Sequence, residues 1–189
     1  DVSKTVDIKR IRAFVERKLN GMIHVLVNAA GVNGAIGFFP EVKMDAWQKA
    51  VEVNLFGTAN MIHAVLPHMI KRGRGKIINF SGGGAASSRP YFSGYSASKA
   101  GVVNLTENLA AELCARRYPV DVNVVAPGAI NTRLLDEMIK AGPRRVGAKK
   151  YKDLLNQKKT GGSPMKNVAE LCLFLASKES DGISGKFIS

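Results

Sequence analysis

The chain has 189 residues, 46% of them hydrophobic, 7% aromatic and 23% charged, the profile of one compact domain with enough apolar material to bury a core. No run approaches the roughly 18 uninterrupted apolar residues of a membrane span, and the opening Asp1-Val2-Ser3-Lys4 does not resemble a signal peptide, so a cytoplasmic chain without a membrane partner is expected. The formal charge is +13, and more than half of it falls between Arg133 and Lys166, where ten basic residues stand against Asp136, Glu137 and Asp153.

That basic stretch reads either as a solvated surface or as a patch that attracts an anionic substrate or a polyanion. Nothing resembles a helix-turn-helix, a zinc finger or an aromatic-studded RNA platform, so nucleic acid is not the expected partner. Cys114 and Cys172 stand apart inside helical patterns and read as reduced core residues. His24, His63 and His68 show no metal-ligand spacing, and no metal site is expected.

In chain order, Val6, Ile8, Ile11, Phe14, Val15 and Leu19 recur at helical spacing until Gly21 stops the pattern, which predicts a helix from about Asp7 to Asn20. His24-Val-Leu-Val-Asn28 is short, β-branched and apolar on both faces, as a strand buried inside a parallel sheet would be. After a glycine-broken loop, Asp45 to Lys71 reads as one long helix; Trp47 on it reads as core or subunit interface, and Pro67 sits near its end, where a lost backbone donor is tolerated. Strand Lys76–Phe80, helix Ser93–Arg116, strand Val120–Val125, a helix opened by Ser163-Pro164 and a last strand Gly185–Ser189 follow. Strands separated by helices of this length require right-handed crossovers, so the fold class is α/β, a doubly wound parallel sheet.

Ligands of such sheets bind outside the carboxyl ends of the strands. The first strand ends in Asn28-Ala29-Ala30-Gly31, small residues that either let a backbone approach a ligand or make a tight turn. Tyr95-Ser-Ala-Ser-Lys99 follows the second of these strands, and its i,i+4 spacing puts both side chains on one helix face. A tyrosine that titrates near ~10 is a poor acid-base catalyst at neutral pH, and lowering its pKa by about three units takes roughly 4 kcal/mol. One ammonium at ~4 Å supplies about that much at an effective dielectric of ~20. The competing account is an exposed lysine beside a core tyrosine.

Five short motifs then stand in order: V-N-A-A-G (Val27 to Gly31), V-N-L-F-G (Val53 to Gly57), I-I-N-F-S (Ile77 to Ser81), Y-S-A-S-K (Tyr95 to Lys99) and V-A-P-G-A-I-N-T (Val125 to Thr132). Over essentially its whole length the chain resembles the short-chain dehydrogenase/reductase family. The resemblance implies a Rossmann-like domain over residues 1–189 that interconverts a secondary alcohol and a carbonyl by hydride transfer, with NAD or NADP as cofactor. It implies Tyr95 as general acid-base, Lys99 as the group that holds the nicotinamide ribose and lowers the tyrosine pKa, and Asn54 as anchor of a proton-relaying water. Pro127, Gly128, Ile130 and Thr132 match the segment that lines the nicotinamide, and Asn28, Ala29, Ala30 and Gly31 the segment behind the adenosine ribose. Asp1 and Val2 match the end of a strand that meets the adenine. In such enzymes the segment at about 133–162 covers the substrate, so Leu134, Leu135, Met138 and Ile139 form either a lid or an ordinary amphipathic helix.

Two departures stand out. The family's serine precedes the tyrosine by thirteen places, which lands on Gly82. Ser81 is expected to fill the role through a bulge at the glycine run Gly82-Gly83-Gly84, with Ser87 or Ser88, or no hydroxyl at all, as the alternatives. The Gly-rich turn that cradles a pyrophosphate follows no strand here, so the first strand-helix-strand unit is missing and the chain reads as an N-terminally truncated member. A noncatalytic remnant acting only as a partner subunit is the rival reading. Weak dinucleotide binding and self-association through the strand at His24–Asn28, as a homo-oligomer, are expected of the chain as it stands.

Overall fold

A computed structural model describes residues 1–189. Helix α1 (Thr5–Lys18) ends one turn before Asn20 and Gly21, both of which take positive φ. It leads into β1 (Val25–Asn28). Helices α2 (Met44–Val51) and α3 (Gly57–Arg72) are joined without a break by a π-helical turn over Glu52–Phe56, a local widening that apolar periodicity does not reveal. Strand β2 (Gly75–Phe80), helix α4 (Ser93–Ala115) and strand β3 (Val120–Val125) fall where the sequence puts them. Three helices occupy the basic stretch: α5 (Arg133–Ala141), α6 (Pro143–Val146) and α7 (Ala148–Thr160). Helix α8 (Met165–Ala176) and the short β4 (Phe187–Ile188) close the chain.

The strands pair in the order β1-β2-β3-β4, all parallel, so every strand delivers its carboxyl end to the same edge. One sheet face presents Leu26, Ile77 and Val122 to α3 and α4, where Ile62, Val65, Met69 and Leu113 complete the largest buried cluster. The opposite face presents Ile78 and Val125 to Leu175 of α8. Helices on both faces make the sheet doubly wound and Rossmann-like, as expected.

Strand β1 is paired only with β2, the open edge expected of the chain as it stands, and Val25 and Val27 on its α8 side are 37% and 47% exposed, since α8 packs over β2. One expectation needs correction, that both cysteines are core residues. Cys114 is exposed, while Cys172 is half-buried beside the α8 cluster. Trp47 is half-buried and lies on Gly94 at the start of α4, with its indole N–H donating to Ser93 Oγ at 3.1 Å, a contact between helices of one chain.

Beneath the amino end of the sheet, the Lys76 ammonium is 4% exposed and meets Asp121 at 2.7 Å, Asp181 at 2.8 Å and Ser180 Oγ at 3.1 Å. A buried cation is tolerated only with such partners, and removing one side of the arrangement strands the other. Lys76→Met is expected to lower stability by about 3 kcal/mol, measured as a shift of the urea midpoint at constant slope. The same ammonium holds the Asp181 carboxyl below its ordinary value of 3.8. Because the folded value is the lower one, that contact stabilises fully above the ordinary value, and it is lost as the pH falls through the depressed one.

Candidate active site

The carboxyl ends of the strands open into a cavity of about 1440 Å³, walled on one side by α4 and on the other by α5 to α7. Tyr95 and Lys99 both line it, one turn apart on α4, with Ala29 and Gly31 after β1 and Pro127, Gly128, Ile130 and Thr132 after β3. Residues from the ends of β1, β2 and β3 and from α4 to α7 thus converge on a single space.

Lys99 is 4% exposed, and its ammonium donates to the Phe80 carbonyl at 2.8 Å. Burial pushes its pKa down to about 8. A Cβ on Gly31 would lie 3.7 Å from that ammonium and 3.3 Å from Asn54 Oδ1, so only a residue without a side chain leaves the space in front of the lysine open. The remaining ammonium protons are free for a ligand. Tyr95 is 7% exposed, and burial raises its pKa above 10.0 while the nearby Arg89 pulls in the opposite direction. Lys99, expected to lower the tyrosine pKa, is not among the groups that shift it here: its ammonium stands 5.9 Å from the ring centroid and is turned to Phe80.

Ser81, expected to fill the serine role, is buried and lines the cavity with Tyr95 and Lys99, its Oγ donating to the Lys99 carbonyl at 3.3 Å. A Cβ built on Gly82 would fall 2.3 Å from Tyr95 Oη, so the tyrosine oxygen stands directly beside position 82, where no hydroxyl exists. Ser87 and Ser88 are exposed on the loop at the cavity mouth.

Asn54 sits in the π-helical turn and is fully buried. Its Oδ1 accepts from Val32 N at 2.9 Å and its Nδ2 donates to Val32 O at 3.0 Å and Ser98 Oγ at 2.9 Å. The widened turn aims the amide at the loop after β1 and ties that loop to α4. Both N–H groups are spent, so the side chain has none left for a relaying water. Asn28 is turned under the sheet, donating to Asn79 Oδ1 at 2.9 Å, and Asn79 in turn donates to Thr106 at 2.9 Å. Neither Asn28, Ala30 nor Asn54 lines the cavity. Asp1 and Val2 form a turn, not a strand end: Asp1 Oδ1 accepts from Ser3 N and Ser3 Oγ, and Val2 lies against Gly57.

Two residues that sequence reasoning passed over complete the site. Asn33, 2% exposed, donates to Leu134 O at 2.9 Å and Glu137 Oε2 at 3.0 Å, linking the loop after β1 to α5. Arg89 stacks its guanidinium on Phe92 and Tyr95, 4.2 and 5.2 Å from the ring centroids. Neither carried a spacing signal, since both stand in irregular loops. The stretch after Thr132 is amphipathic: Leu135, Met138, Val146 and Leu154 are buried against Phe92 and Tyr95. A bridge between Ile130 and Gly162 draws the two ends of the segment together.

A family model described as short chain dehydrogenase matches residues 1–141. The chain belongs to the short-chain dehydrogenase family. It is 35% identical over 191 aligned residues to the 3-oxoacyl-[acyl-carrier-protein] reductase FabG of Thermotoga maritima, covering 99% of this chain and 73% of that protein. It is 40% identical over 131 residues to Dehydrogenase/reductase SDR family member 4 of Homo sapiens, covering 69% of this chain and 46% of that protein, less than half of its length. Among solved structures, a gluconate 5-dehydrogenase from Burkholderia cenocepacia in complex with NADP and tartrate superposes with a TM-score of 0.84 at 29% identity, covering 100% of this chain and 71% of that one. No helix is long and apolar enough to cross a membrane, and no group of three or more His, Cys, Asp or Glu comes together as a metal site.

Two measurements probe this geometry. Gly82→Ala places a methyl group on the Tyr95 hydroxyl and is expected to cost about 1 to 3 kcal/mol, with changed near-ultraviolet tyrosine dichroism; an unperturbed spectrum and midpoint would mean that the tyrosine oxygen lies elsewhere. For Lys99, the fall from 10.5 to about 8 corresponds to about 3 kcal/mol at ~1.4 kcal/mol per pH unit, and the bond to Phe80 returns about 1. Lys99→Met should therefore stabilise the chain at pH 7 by about 2 kcal/mol. The gain should shrink between about pH 8 and 10.5, where the unfolded lysine still holds a proton that the folded one has lost.

Proposed function

We propose that the chain is the catalytic part of an NAD- or NADP-dependent oxidoreductase that interconverts a secondary alcohol and a carbonyl, with Tyr95 as the general acid-base. The observation that carries this reading is the shared exposure of Tyr95 Oη and the Lys99 ammonium to one cavity at the strand ends, beside Pro127–Thr132. A bound nicotinamide would supply the hydride. The residues present suit its ribose side: the space before Gly31 is open, Lys99 has unspent donors aimed across it, and the backbone of Pro127, Gly128, Ile130 and Thr132 forms the facing wall.

In carbonyl reduction Tyr95 gives its proton to the substrate oxygen, and in alcohol oxidation it takes one. Its raised pKa leaves it a phenol throughout the neutral range, which suits the reducing direction. Lys99 orients the ribose hydroxyls, and α5 to α7, proposed as the substrate cover of one domain spanning residues 1–189, exclude water from the reacting atoms. The substrate is a small alcohol or carbonyl compound. An anionic one is favoured, because Arg89, Arg133, Lys149 and Lys150 line the cavity against the single acid Asp153. Assembly as a homo-oligomer is proposed from the exposed Val25 and Val27 at the β1 edge.

Tyr95→Phe is expected to abolish turnover with any accepted secondary alcohol, to background, while changing cofactor affinity less than about threefold; undiminished turnover would remove Tyr95 from the reaction. For the unsubstituted protein, alcohol oxidation is expected to rise with pH without a plateau up to about 10, because the base form of Tyr95 is scarce below its raised pKa. Carbonyl reduction should be insensitive to this group across the neutral range. A plateau in oxidation reached by pH 7 would show a tyrosinate that this site does not favour.

A further inference from the structure

Arg89 is a charged residue at the reacting end of the cavity for which the hydride-transfer scheme has no use. It is half-buried, stacked on the rings of Phe92 and Tyr95, and meets no carboxylate: Nη1 donates to Gly83 O at 3.2 Å, Nη2 to Met138 Sδ at 3.0 Å, and the guanidinium also interacts with the Tyr95 side chain. A thioether is a weak acceptor, and a guanidinium carries five N–H donors, so the fork keeps donors for a ligand. The acids of α5 are engaged elsewhere, Glu137 with Arg133 at 3.2 Å and Asp136 with Lys158 at 2.6 Å. Asp153, the one acid lining the cavity, makes no ion pair with Arg89.

A guanidinium withdrawn from water pays for its desolvation only by meeting an anion, and burial already pulls the Arg89 pKa below its ordinary value. The anion it lacks in the protein must come from what the cavity holds. Two aromatic faces and two hydrogen bonds fix the plane of the fork, the preparation that bidentate recognition of a carboxylate requires. Arg89 and Tyr95 both line the cavity, with the guanidinium carbon 5.2 Å from the tyrosine ring centroid, so the fork and the phenol face a common space.

We infer that Arg89 binds a substrate carboxylate, so that the carbonyl or alcohol handled beside Tyr95 belongs to a short oxo or hydroxy carboxylate. This rests on the hydride-transfer reading above. The carboxylate lies on the fork, and the reacting carbon, one or two atoms along, meets the phenol. Arg89 thereby sets specificity, while proton transfer stays with Tyr95.

The test uses pyruvate and acetoacetate as probes, with their methyl esters as neutral controls. In the unsubstituted chain, modification of Arg89 by phenylglyoxal, read by mass spectrometry, should be slowed by at least one of the two acids and by neither ester. In turnover, Arg89→Gln should lower the preference for the acid over its ester, read as the ratio of their kcat/KM values, by about 10- to 100-fold, the loss of a charge-assisted hydrogen bond. Arg89→Lys, which keeps the charge and loses the fork, should fall between. Protection by neither acid, equal protection by acid and ester, or an acid preference that survives in Arg89→Gln overturns the inference. The two failures are separable: persistent turnover in Tyr95→Phe removes the hydride-transfer reading whatever Arg89 does. An inactive Tyr95→Phe with an unchanged acid preference in Arg89→Gln removes the Arg89 assignment alone.

Discussion

The bond from the Lys99 ammonium to the Phe80 carbonyl, made where the lysine is almost wholly shielded from water, fixes the rest of the site. It ties α4 to the end of β2, and once Lys99 is there, helical geometry puts Tyr95 one turn away on the same face. The tyrosine oxygen then fills the space beside residue 82, which must be glycine, and the absence of a side chain at residue 31 leaves the space before the lysine head open. A buried ammonium with a single backbone acceptor is costly, and the packing of α4, through Leu113, on Val122 and the rest of the main cluster offsets the cost. The protein therefore gives up stability at this point to hold Lys99 and Tyr95 side by side at the cavity wall.

A second layer of order comes from the segment after Thr132. Its buried Leu135, Met138, Val146 and Leu154 make Tyr95 part of an apolar cluster as well as of the cavity wall, and that burial raises the tyrosine pKa. Asn33 fastens the loop after β1 to the carbonyl of Leu134 and to Glu137, so cover and strand ends are mechanically joined. The basic residues of this segment gain meaning from that placement. Lys149, Lys150 and Arg133 face the same space as Tyr95, whereas Lys158 and Lys166 pair with surface acids outside it.

Apolar periodicity and turn residues carried the class of fold and most element positions, because α3, α4 and the central strands are governed by burial. Irregular backbone was less legible. The π-helical turn around Asn54 leaves the apolar pattern of the helix intact, yet it redirects Asn54 away from the cavity and into the β1 loop. Counting thirteen places back from Tyr95 leads to Gly82, and the direction of its Cβ puts that position beside the tyrosine oxygen, while Ser81, one residue earlier, bonds to the Lys99 carbonyl. Asp1 and Val2 resemble a strand end in sequence, but the turn that Asp1 makes with Ser3 needs no sheet partner. Arg89 had no signal at all, since its role depends on ring faces brought together by tertiary packing.

The central claim is that this cavity joins a carbinol carbon to a nicotinamide under the control of Tyr95. Its most direct test is the fate of the carbinol hydrogen: an accepted secondary alcohol deuterated at that carbon, turned over with NAD or NADP, and the reduced cofactor examined by mass spectrometry and proton NMR. The account predicts one deuterium at the nicotinamide C4 on a single face, none lost to water, and no transfer in Tyr95→Phe. Deuterium released to solvent, or label delivered equally well without the Tyr95 hydroxyl, would contradict it.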